Sequence, residues 1–150
     1  MASRWNTPSL TAVCGWWLVV AVVGSLGISG CHAERRSRLR AEAAALLHQI
    51  DTLREAPNAD KQRWVDLLAA QRCTFAEVCD LRAICDRGYR RHVAAYATIQ
   101  RLAGVASATP HAPSILASEL ADAEAALKDA QPDITECVDG AASLRRRLDL

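Results

Sequence analysis

The sequence has 150 residues and a mass of 16.2 kDa, enough for one ordinary domain and too little for two. Its 18 Lys and Arg nearly cancel its 17 Asp and Glu, so no overall charge draws it to nucleic acid. Alanine supplies 29 residues of the apolar fraction, which predicts a thin core, and a single Phe with two Tyr disfavours an all-β fold.

Residues 1–10 carry one charge, Arg4, and Thr11 to Gly30 carry none; the next charged residue is Glu34. A basic start, an uncharged apolar stretch and a finish in small residues is the layout of a secretory signal. The stretch ends Ile28-Ser29-Gly30-Cys31, which resembles the lipobox of bacterial lipoproteins: an aliphatic residue, a small residue, Gly or Ala, then Cys. That resemblance implies diacylglycerol on the Cys31 sulfur, cleavage after Gly30 and acylation of the new amino terminus. It also implies a periplasm-facing envelope location, with His32 in place of Asp favouring an outer membrane if the host has one. Each buried methylene contributes about 0.8 kcal/mol, so several acyl chains together hold a protein firmly to a bilayer. The resemblance covers residues 1–31 alone.

A second reading leaves residues 11–30 uncleaved as a single membrane-spanning helix. Arg35, Arg36, Arg38 and Arg40 follow the segment, and by the positive-inside rule they would place the remainder in the cytoplasm as a coiled-coil adaptor. Behind an acylated Cys31 the same four arginines would instead lie against anionic headgroups, each contributing up to about 1 kcal/mol.

The remaining chain reads as an all-α, Ala-rich antiparallel bundle of four to five helices spanning 31–150. Leu39, Ala43, Leu46, Ile50 and Leu53 form an apolar seam on a helix over 34–55, which Pro57 stops. A second helix over 59–72 carries Trp64, Leu67 and Leu68. Thr74-Phe75-Ala76-Glu77 fits a capping box, starting a long helix to about Ala103 whose seam runs Val78, Leu81, Cys85, Tyr89, Val93, Tyr96 and Ile99. Residues 104–113 read as a loop. Ser114 starts a helix through Ala130 with a seam of Leu116, Leu120, Ala123, Leu127 and Ala130. Pro132 is expected to break it. A final helix follows with Ile134, Cys137, Ala141, Leu144 and Leu148 inward, and Gly140 is expected to fray it.

Setting aside Cys14 and Cys31, an exported chain keeps Cys73, Cys79, Cys85 and Cys137, an even number that suggests two disulfides. Cys79 and Cys85 lie about 9 Å apart along one helix, beyond the roughly 7 Å limit between Cα atoms, and Cys73 to Cys85 is longer. Cys85–Cys137 and Cys73–Cys79 remain; free thiols packed as small apolar groups are the other reading.

The sequence contains no C-x-x-C, H-E-x-x-H or phosphate-binding loop. Its four histidines are scattered, with His92 seven residues beyond Cys85 on one helix face. No catalysis, cofactor, metal or small-molecule substrate is expected, and the partners expected are membrane lipid and an envelope protein. Residues 114–139 carry seven acids against Lys128 alone, while arginines gather at 87–91 and 145–147, a pattern that complementary helix packing would satisfy.

Overall fold

The computed structural model describes the backbone of residues 11–108 and 114–150 and the side chains of residues 32–107 and 116–150. The signal segment expected over 1–30, the Cys31 thiol and most of the loop expected over 104–113 lie outside the described side chains. The described backbone forms four helices: α1 (Thr11–Glu55), α2 (Lys61–Ala70), α3 (Ala76–Ala108) and α4 (Ser114–Leu148). Among the described residues there is no strand, and the fold is an all-α four-helix bundle. Two compact units divide the chain, Met1–Arg38 and Leu39–Leu150. The bundle is the second.

The direction of each helix follows from its polar contacts. Glu77, Cys85, Arg87 and Arg101 of α3 meet Arg147, Cys137, Asp133 and Glu119 of α4 in that order, so the two run antiparallel. Arg90 meets Asp66 and Arg82 reaches the Gln71 carbonyl, so α2 also opposes α3. Arg40 of α1 reaches the carbonyls of Leu148 and Asp149. The result is up-down-up-down.

A shared core takes Leu46, Ile50 and Leu53 from α1, Val65 and Leu68 from α2, Val78 through Val93 from α3, and Cys137 through Leu148 from α4. These are the predicted seams, with Val65 in place of Leu67, which is 40% exposed. The seam over 116–130 departs from expectation: Ala123 and Ala130 are buried, but Leu120 is 38% exposed. The core stops at Val93 and Ile134, so this part of α4 packs on α3 without the cover that α1 and α2 give farther down. Alanine-sized contacts suffice there, and a leucine one turn away stays partly wet.

Helix α3 runs on to Ala108, into the loop expected over 104–113, and three local features also differ from the sequence expectation for identifiable reasons. The capping box does not form. Glu42 of α1 accepts from the Thr74 amide (2.7 Å), the Phe75 amide (3.2 Å) and the Thr74 hydroxyl (2.5 Å), capping α3 from another helix, while Glu77 pairs with Arg147. A carboxylate there satisfies free N–H groups and faces the positive end of the helix dipole.

Pro132 does not end α4, which continues through it and merges the two helices expected on either side. The proline leaves the Lys128 carbonyl without its donor four residues on. The helix is held across that defect by Arg87, which donates twice to Asp133 at 2.9 Å, and by the Cys85–Cys137 bond. Thr135 Oγ1 also donates to the Gln131 carbonyl at 3.0 Å.

Gly140 is not a frayed position but a point of close approach. A Cβ on it would stand 2.8 Å from Leu81 Cδ1, and one on buried Gly88 would stand 3.0 Å from Asp133 Cβ and from the Ile134 amide nitrogen. The two glycines let α3 and α4 approach on both sides of the disulfide.

The ends are closed locally. Lys61 Nζ donates to the Leu53 and Arg54 carbonyls, both at 3.1 Å, at the C-terminus of α1. Asp149 takes a left-handed φ of 56°, and the Leu150 amide donates back to the Arg145 carbonyl at 3.1 Å, a Schellman-type stop for α4.

Candidate functional site

The structure joins Cys73 to Cys79, with Cα atoms 5.4 Å apart, and Cys85 to Cys137, at 4.9 Å. These are the two pairs that spacing leaves. The first becomes possible because α3 begins at Ala76, so the chain before it turns back onto the first turn of the helix. The second crosses the core, where both residues are fully buried. Cys85 therefore has no thiolate to offer a metal. His92 sits half-buried, and desolvation together with the charge of Lys61 lowers its pKa. Among the described residues no group of three His, Cys, Asp or Glu converges as a metal site.

The four arginines following Cys31 separate. Arg35, Arg36 and Arg38 are exposed. Arg40 is half-buried and has partners within the bundle. Its Nε donates to the Leu148 carbonyl at 2.7 Å and its Nη2 to the Asp149 carbonyl at 3.0 Å, so it caps α4 within the bundle. The other arginine clusters meet acids on neighbouring helices: Arg87 and Arg91 converge on Asp133, Arg101 pairs with Glu119, and Arg145 with Asp51. Hydrogen bonds from Arg87 hold the Asp133 carboxyl below its ordinary value of 3.8, against the smaller opposing effect of desolvation. Of the seven acids in 114–139, Glu119 and Asp133 are paired with α3, and the other five make no ion pair among the described residues.

An open groove of about 1010 Å³ runs between α3 and α4. Leu81 and Ile84 of α3 and Pro132, Gly140 and Leu144 of α4 form its apolar floor, and Glu77, Asp80, Glu136 and Asp139 stand on its rim. Gly140 lets the helices meet at the bottom while their outer faces diverge. Arg145 points to Asp51 of α1, whereas Arg147, two residues on and so on the other side of α4, pairs with Glu77 of α3. The groove therefore opens on the side of α4 turned away from α1. Of its acids only Glu77 has an ion pair; Asp80, Glu136 and Asp139 make no salt bridge among the described residues. A smaller apolar groove of about 320 Å³ lies between Leu102 and Leu120, beyond the shared core.

Sequence reasoning had no sign of this groove beyond the acidic run in 114–139, because Asp80 and Asp139 belong to different helices. The available signal was Gly140 inside an otherwise regular apolar seam, which marks close approach as readily as weakness. Chemically, an apolar floor with a carboxylate rim suits an apolar group that carries positive charge, and no nucleophile–base pair is among its lining residues. Among residues with described side chains, no helix is long and apolar enough to cross a membrane. No protein-family model, curated protein or solved structure matches the chain.

Proposed function

We propose that this chain is an exported, lipid-anchored helical bundle of the bacterial cell envelope, held to a membrane through acylated Cys31, with a structural or protein-interaction role and no catalysis. The observation that carries the reading is the pairing of Cys73 with Cys79 and of Cys85 with Cys137. Structural disulfides persist outside the cytoplasm and are kept reduced within it. The pairing also uses every cysteine beyond residue 31, so a chain processed after Gly30 has no cysteine left to take the Cys31 thiol. The sulfur of the lipobox resemblance is then the one available for a lipid.

In this reading Arg35, Arg36 and Arg38 follow the anchor closely enough to meet anionic headgroups, and Arg40 serves the bundle. The expected partners are membrane lipid and an envelope protein of unknown identity. The position of the arginines after residues 11–30 favours a second reading, the uncleaved cytoplasmic adaptor.

Thiol trapping separates the two. Intact cells are quenched with acid, free thiols are alkylated, and tryptic peptides are read by mass spectrometry without reduction. The lipoprotein reading expects two peptides linked through Cys85 and Cys137, a peptide 73–82 lighter by two hydrogens with its internal Cys73–Cys79 bond, and no alkylation at the four bundle cysteines. Alkylation of all four in freshly synthesised protein favours the cytoplasmic adaptor.

A further inference from the structure

We infer that the groove between α3 and α4 is the docking site for a cationic amphipathic helix of a partner protein. This rests on the interaction role proposed above and not on how the chain is anchored. The floor is apolar through Leu81, Ile84, Pro132 and Leu144, and the volume of about 1010 Å³ is open along one side. From Pro132 to Arg147 the α4 bank extends about 22 Å at 1.5 Å per residue, the length of about four helical turns. A ridge of apolar side chains at i, i+3, i+4 and i+7 fits such a floor.

Charge decides the partner's sign. Asp80 on one bank and Glu136 and Asp139 on the other are exposed and make no ion pair among the described residues, whereas Asp51, Glu119 and Asp133 are each paired with an arginine of a neighbouring helix. The groove's own cations are Lys128, one turn before Pro132, and Arg147 at the other end, and Arg147 is already neutralised by Glu77. The middle is therefore negative on both sides, and lysines or arginines flanking an apolar ridge complement it. An acidic helix would set like charges against each other across the whole contact.

The test uses the full chain in neutral maltoside micelles and a fluorescein-labelled 18-residue helix of Leu and Lys, with a Leu and Glu helix for comparison and protein-free micelles as blank. Anisotropy should show saturable binding of the Lys helix above the blank and none of the Glu helix. The triple variant Asp80→Asn, Glu136→Gln, Asp139→Asn should weaken binding at least tenfold. These side chains make no hydrogen bond or ion pair among the described residues, and Glu136 acts on Arg87 through its charge alone, so the variant should melt close to the wild type. A control triple on the far part of α4, Asp122→Asn, Glu124→Gln, Asp129→Asn, removes the same charge and should leave binding unchanged. The inference is overturned by equal weakening in both triples, which means general attraction to an acidic helix, by binding of the Glu helix, or by no binding above the blank. A failure here leaves the thiol state untouched, and a chain with four reduced cysteines could still bind the Lys helix, so the two proposals fail separately.

Discussion

At the scale of single residues, the two glycines at the α3–α4 contact differ in what stands opposite them. A Cβ at Gly88 meets main-chain and Cβ atoms of residues 133 and 134, which cannot move without shifting α4 and the Arg87–Asp133 pair. A Cβ at Gly140 meets the tip of the Leu81 side chain, which can rotate. Both changes to Ala gain about 1 kcal/mol of helix propensity. At position 88 overpacking costs about 1–3 kcal/mol, which cancels or exceeds that gain. Thermal melts should therefore show Gly88→Ala lower than wild type and Gly140→Ala close to it. Equal effects of the two would mean that close approach is not what these positions require. From sequence Gly140 reads as a weak point in a helix, because the atom a side chain would strike belongs to another element.

At the scale of elements, the disulfides differ in the chain they close. Cys85–Cys137 joins positions 52 apart and Cys73–Cys79 positions six apart. In the chain-entropy model the first contributes about 4 kcal/mol and the second roughly 2 kcal/mol. Urea unfolding of the paired Ser variants should show the larger loss for Cys85→Ser with Cys137→Ser, and a reversed order would contradict the placement of that bond in the core. The helices themselves were largely legible: apolar steps of three and four located the seams of α1, α3 and the last part of α4. The ends were not. Thr74 and Glu77 have the right spacing for a capping box, but Glu42 lies 32 residues from Thr74 in sequence and takes the cap. Pro132 is a sound breaker locally and is overridden by contacts on both sides of it. In each case the deciding partner is distant in the chain, where periodicity carries no information.

At the scale of the whole molecule, the fold class and the cysteine pairs followed from spacing, while the groove did not. Its existence depends on how α3 and α4 are rotated about their axes, which the glycines and Asp133 set together. The proposed role joins two parts that the sequence keeps separate: an anchor at residue 31 and a bundle with a negatively lined cleft. The anchor is the part on which location and oxidation both depend. Its most direct measurement is the intact mass of the membrane-extracted chain after palmitate labelling, beside a Cys31→Ser variant. A labelled chain that starts at Cys31 and carries three acyl groups, with an unlabelled and unprocessed variant, is the expected result. A full-length, unlabelled chain retained in the membrane equally well with Ser at position 31 would contradict it.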